Sequence, residues 1–234
     1  MFFDPQYMFF VMLPGALITM FAQWRVKSAY SRWSKMPNER GLTGLDVAQE
    51  LMRHRGLENV KIERIAGHLT DHYDPRSKTM RLSQGSMDEP SVAAMAIVAH
   101  ELGHAEQHKT GNLMLNMRGA LVPAANIGSS LGVWIIIAGL FMGAGDGMGL
   151  GSIIAWAGVG LFGMAVAFTL ITLPVEFDAS RRAKVWLRET GLASPKEQRG
   201  VDKVLDAAAL TYVAAAAASI LQMMYWVSRI SGRD

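Results

Sequence analysis

His100-Glu101-Leu102-Gly103-His104 sets two imidazoles four residues apart, with a carboxylate next to the first. On a helix, four residues make slightly more than one turn, so both rings leave the same side about 6 Å apart. That spacing lets both bind one Zn²⁺, with Glu101 within reach of a water on the metal. The chemistry would be hydrolysis, in which zinc acidifies the water and Glu101 takes its proton and passes it to a leaving amine. A zinc hydrolase needs a third protein ligand and one open position. His108 is excluded by geometry, because eight residues separate it from His100, about 12 Å along a straight helix. His54, His68 and His72 stay open as third ligands. Glu176 is the better candidate, since it stands at the end of an apolar stretch, where a carboxylate is costly unless paired or bound. The plainer reading of Glu176 is an interfacial acid paired with Arg181 or Arg182. Asp178 is either an outer carboxylate that holds a ligating imidazole or a solvated surface acid.

These residues need elements to position them. Asp88-Glu-Pro90 opens a helix with Pro in its first turn. That helix carries the motif, runs to about Lys109 and stops near Gly111. Thr43-Gly-Leu-Asp46 has the form of a capping box, Gly56 suits a C-terminal cap, and the apolar positions between them predict a short helix. Val60, Ile62 and Ile65 predict a strand. His68–Tyr73 and Lys78–Ser83 flank Asp74-Pro75-Arg76-Ser77, which reads as a hairpin. In the strand-addition mode of peptide binding, His72 or Tyr73 on that hairpin would face the cleft and contact substrate or stabilise an oxyanion. A hairpin that merely covers the helix fits the pattern equally well. Ser28–Met36 is basic and amphipathic, with Tyr30 and Trp33, and is expected at a membrane interface.

Charge is unevenly distributed. Residues 119–175 contain only Asp146, residues 207–228 contain no charge, and residues 1–24 contain only Asp4. Four stretches reach the roughly 20 apolar residues a spanning helix needs. They are Tyr7–Trp24, Ala120–Phe141, Ser152–Val175 and Ala207–Val227. The middle two are joined by a Gly-rich turn, 143–151, which lacks the Lys-Ser/Thr of a phosphate loop. Gly128/Gly132 and Gly139/Gly143 have the spacing of close helix packing, as does the run Ala214–Ala218. The N-terminal stretch lacks the basic start and the cleavage site of a signal peptide, and its basic residues follow it. Of the 23 Lys and Arg, 21 lie in residues 25–118 and 176–206. The positive-inside bias therefore predicts a cytoplasmic face for those segments and outside positions for both termini. The same bias accounts for a pI near 9.3 without nucleic-acid binding. The absence of Cys excludes disulfides, Cys-ligated zinc, iron–sulfur clusters and thiol catalysis.

His-Glu-Leu-Gly-His-Ala-Glu-Gln, the preceding Leu-Thr-Asp-His-Tyr-Asp-Pro-Arg-Ser-Lys-Thr-Met-Arg-Leu-Ser, and Leu-Pro-Val-Glu-Phe-Asp-Ala-Ser-Arg-Arg-Ala together resemble the bacterial YugP-type membrane neutral zinc metallopeptidases. The resemblance runs over nearly the whole chain. It implies that Glu176 is the third zinc ligand. The arrangement is also similar to the HtpX-type membrane gluzincins, which carry Glu-x-x-x-Asp where this chain has Ser180 as the fifth residue. A second departure is Glu106, where related helices carry an apolar residue; it implies that this face meets water or a basic group.

The fold class expected is mostly α, four transmembrane helices with a small α+β zincin-like cytoplasmic domain. Its segments would be an anchor at 1–24, a metallopeptidase domain at 25–118 and a helical hairpin at 119–175. A cytoplasmic segment at 176–206 would bring the third ligand, and 207–234 would be the last span and tail. The expected function is a zinc metalloendopeptidase of the bacterial inner membrane. His100, His104 and Glu176 would hold Zn²⁺, Glu101 would be the catalytic base and acid, and the partners would be a peptide or protein substrate and membrane lipid. The competing expectations are a zinc amidase acting on a small or lipid-linked substrate, and a non-catalytic scaffold clamped by metal.

Overall fold

The computed structural model describes residues 4–144 and 149–232. Asp146 of the Gly-rich turn and Arg233 of the tail lie outside the described residues. Seven helices and three strands follow in the order α1 (Pro5–Trp33), α2 (Gly44–Arg55), β1 (Lys61–Ile65), β2 (His72–Asp74), β3 (Thr79–Ser83), α3 (Gln84–Asp88), α4 (Val92–Lys109), α5 (Leu113–Phe141), α6 (Leu150–Glu189) and α7 (Pro195–Ile230), counted among the described residues. The fold is mostly α with a small sheet. α1, α5, α6 and α7 are long and apolar enough to cross a membrane, the same four stretches that composition marks out. The chain divides into two units. One lies within 1–21, 116–173 and 212–234, and the other within 22–115 and 174–211.

The first unit is built on close helix packing. A Cβ added at Gly128 would lie 2.2 Å from the Leu161 carbonyl oxygen, and one at Gly139 would lie 2.5 Å from the Ala155 nitrogen, so only glycine lets α5 approach the α6 backbone. Ile136, Val159, Phe162 and Trp226 fill the space around that seam. Thr169 and Ser219 hydroxyls bond across helices at 3.0 Å.

The second unit holds every histidine. α2 starts on a capping box: Asp46 N–H donates to Thr43 Oγ1 at 3.2 Å and Thr43 N–H donates to Asp46 Oδ2 at 2.9 Å. It ends on Gly56 at φ 63°. The sheet has the order β1-β3-β2, with β1 parallel and β2 antiparallel to β3. Asp74 closes the hairpin by accepting from Arg76 N–H and Ser77 Oγ. Leu51, Leu57, Met80, Leu82, Met95, Leu102 and Leu187 form the core between sheet and helices.

Three local details differ from the sequence reading. α4 starts at Val92, capped by Ser91 Oγ accepting from Ala94 N–H, so Pro90 precedes the cap and is not in the first turn. The reason is tertiary, because the Pro90 carbonyl accepts from Asn38 N–H and Val92 N–H donates to the Met36 carbonyl. An extra short helix, α3, follows β3 because Asp71 accepts from Ser83 N–H, Ser83 Oγ and Ser86 Oγ. Finally, the basic stretch from Ser28, expected to extend to Met36, is helical only as far as Trp33, where α1 ends.

Candidate metal centre

α4 is apolar and small on nearly every side, the pattern of a helix enclosed by protein, and its buried positions run round the full circumference. Two polar rings inside such a helix need partners. His100 and His104 stand with ring centroids 4.8 Å apart. Their Nε2 atoms converge on one oxygen, Glu176 Oε2, at 3.2 and 3.5 Å. One ligand atom from each of the three residues lies within 4.8 Å of the others. Glu176 is 1% exposed. It belongs to α6, in the part that follows the apolar stretch ending at Val175.

Helix proximity makes this possible. Gly103 faces α6 so closely that a Cβ there would lie 2.8 Å from the Ala179 carbonyl oxygen. Ser180, one turn after Glu176, places its Oγ 3.2 Å from His100 Nδ1, where the related Glu-x-x-x-Asp pattern has a carboxylate. His104 Nδ1 is 3.0 Å from Gln107 Oε1. Asp178 does not touch an imidazole directly: it accepts from Gln107 Nε2 at 2.9 Å and from Arg182 Nε at 2.7 Å. Arg181 also bonds Asp178, and Arg182 pairs with Glu106, the basic group that the charged residue at 106 implies. Gln107 has no metal-binding chemistry of its own, and the sequence reading missed it.

The electrostatics follow from this enclosure. Burial works against ionisation of Glu176, but hydrogen bonds from and the charges of His100 and His104 outweigh it and hold the carboxyl below its usual range. Burial likewise lowers His104, while the hydrogen bond and charge of Glu176, the charge of Glu101 and the bond to Gln107 raise it on balance. Glu101 is buried, acts on His104 through its charge, and makes no hydrogen bond or ion pair among the described residues.

The other histidines serve elsewhere. His108 Nδ1 is hydrogen-bonded to Tyr73 OH at 2.9 Å, and His72 Nδ1 donates to the Thr70 carbonyl at 2.9 Å. His68 packs edge-on against Tyr30, and His54 lies in the last turn of α2. None joins the His100, His104 and Glu176 group.

The family model described as "Putative neutral zinc metallopeptidase" matches residues 8–231. The chain belongs to that family. It is 39% identical over 226 residues to the "Putative membrane protease YugP" of Bacillus subtilis (strain 168), covering 96% of this chain and 97% of that protein. No solved structure matches. The neutral zinc metallopeptidase family implies zinc, and the residues here fit it. Two imidazoles and a carboxylate are a zinc donor set that leaves one position open. Each ring also turns its Nε2 inward while its Nδ1 is held from outside, as a ligating histidine requires.

Proposed function

We propose that this membrane protein is a zinc metalloendopeptidase working at the cytoplasmic face of a bacterial cell membrane. The observation that carries the reading is the convergence of His100, His104 and Glu176 from two helices, beside a buried Glu101 that makes no hydrogen bond or ion pair among the described residues. His100 and His104 would hold the metal through Nε2, and Glu176 through a carboxylate oxygen. Bound zinc supplies a Lewis acid that polarises the scissile carbonyl and acidifies water at neutral pH. Glu101 accepts a proton from the attacking water as its oxygen bonds to the carbonyl carbon. The same carboxyl returns the proton to the amide nitrogen as the C–N bond breaks, leaving a carboxylic acid and an amine, between which the last proton passes to give carboxylate and ammonium. The enclosed site keeps bulk water from competing for Glu101. The cytoplasmic assignment rests on the basic residues, 21 of 23 of which fall in the two segments that carry the site.

The test is metal analysis and proteolysis in detergent on the wild type, Glu101→Gln and Glu176→Ala. Glu101→Gln is expected to keep zinc and lose cleavage by at least about a hundredfold. Glu176→Ala is expected to lose or weaken zinc. Cleavage retained by Glu101→Gln, or unchanged zinc in Glu176→Ala, overturns the mechanism or the ligand set respectively.

A further inference from the structure

The side chain of Gln107 is fully buried, and both its NH₂ group and its oxygen are engaged. Its Nε2 donates to the Val175 carbonyl at 2.8 Å and to Asp178 Oδ2 at 2.9 Å, and its Oε1 meets His104 Nδ1 at 3.0 Å. The amide has only one workable orientation. A carbonyl and a carboxylate can only accept, so the NH₂ end must face them and the oxygen must face the ring. An amide oxygen can only accept in turn, so Nδ1 of His104 carries the hydrogen. The lone pair of the neutral ring is then on Nε2, the atom 3.5 Å from Glu176 Oε2. Turning the amide over would set an oxygen against two acceptors inside a buried site, at the full desolvation cost of each.

Asp178 is itself fixed by Arg181 and Arg182, and Arg182 also pairs with Glu106, the neighbour of Gln107 on α4. The chain of contacts therefore leaves α4 at Glu106, passes through Arg182 and Asp178 on α6, and returns to α4 at Gln107.

We propose that Gln107 is the positioning residue of the metal centre: it selects the Nδ1–H form of His104, aims Nε2 at the metal, and links that ring to the Asp178–Arg182 anchor on α6. The use of a neutral amide has a physical reason. Glu101 and Glu176 already bring two carboxylates to the site, and the amide relays the pull of a third, Asp178, without burying it against the ring. The proposal rests on His104 being a zinc ligand, but its first readout does not.

That readout is the ¹⁵N spectrum of the imidazoles in the metal-free protein at a pH where His104 is neutral. The expected result is His104 as the Nδ1–H tautomer in the wild type and loss of that preference in Gln107→Met. The second readout is zinc affinity by chelator competition, with a loss of about 10–100-fold expected in Gln107→Met. The paired variant Gln107→Glu with Asp178→Asn exchanges acceptor and donor across the 107–178 bond and keeps an acceptor for His104 Nδ1, while leaving the Val175 carbonyl without a donor, as Gln107→Met also does. It is expected to restore the Nδ1–H tautomer and to bind zinc more tightly than Gln107→Met. An Nε2–H tautomer in the wild type overturns the proposal. So does unchanged zinc affinity in Gln107→Met, or a paired variant no better than it. If Gln107→Met does not fold, the wild-type tautomer and the His104 tautomer of the paired variant still decide, an Nε2–H ring in either overturning the proposal. A wild type that shows Nδ1–H but binds no zinc refutes the metal-centre reading and leaves the Gln107–His104 assignment standing.

Discussion

Gly103→Ala puts one methyl group between the two helices that carry the ligands. The added Cβ would meet the Ala179 carbonyl oxygen at 2.8 Å, Cα at 3.1 Å and carbonyl carbon at 3.2 Å, all of them backbone atoms that cannot swing away. Ordinary contact begins at 3.4 Å, so α6 has to retreat by roughly 0.6 Å. Glu176 lies on that same turn of α6, three residues before Ala179. A zinc site tolerates errors of only about 0.2 Å in its ligand distances. Overpacking of this kind costs about 1–3 kcal/mol, while Ala gains about 1 kcal/mol over Gly inside a helix. The metal-free protein should therefore lose between about 0 and 2 kcal/mol. Most of the strain falls on the Glu176–His104 distance, so zinc affinity should drop by about 5–150-fold, the equivalent of about 1–3 kcal/mol. The assay is chelator competition for zinc beside thermal unfolding of the metal-free protein in the same detergent. If Gly103→Ala binds zinc as tightly as the wild type and unfolds at a higher temperature, then the helix approach does not set the ligand geometry.

The response to pH should reverse sign with metal. His104 is raised above its ordinary value of 6.5 in the metal-free protein, mainly by Glu176 once the opposing effect of burial is overcome. Its contribution to stability is therefore complete below that value and is lost as pH rises through the raised one. Glu176 is held below its usual range and stays ionised across this window, so it adds no slope. Metal-free protein should lose stability with rising pH, by at most about 1.4 kcal/mol per unit for the one proton. Zinc needs neutral imidazoles, so apparent zinc affinity should rise over the same interval. Thermal unfolding against pH with and without zinc checks both, and parallel slopes would remove His104 from the ligand set. A compartment reporter inserted beside Asp146 should give a signal outside the cytoplasm, and a cytoplasmic signal there would overturn the orientation argued from the basic residues.

The parts of the molecule legible in the sequence are those whose cause is local. The four long helices follow from apolar length alone, and α2 follows from Thr43, Asp46 and Gly56, which act on backbone groups within a turn of themselves. The two-histidine stripe follows from helical periodicity. What escaped is what distant segments decide. α4 starts at Val92, after the Ser91 cap, because residues 36–38 bond to residues 90–92. Helix α3 exists because Asp71 bonds across from an earlier loop. β1 was legible as a strand, but not its parallel pairing with β3, which brings two non-consecutive segments together.

The same division runs through the site. His100, Glu101 and His104 stand out because their residue types carry the chemistry and their spacing is fixed by one helix. Glu176 stands out because a carboxylate at the end of a charge-free stretch needs a reason to be there. Gln107 and Ser180 carry no such mark, and the bonds that tie them across the two helices reach residues 68 and 80 positions away in the chain. Yet one signal was available. Gln107 is three residues beyond His104 and seven beyond His100, so it shares their face of the helix. That face is already committed to a metal and to an opposing helix. A long hydrogen-bonding side chain placed there, in a helix whose buried positions are mostly apolar, must find polar partners within the site. The two histidines and the segment around Glu176 are polar groups that the sequence reading puts on that side, so the face of the helix, more than the residue type, identifies Gln107.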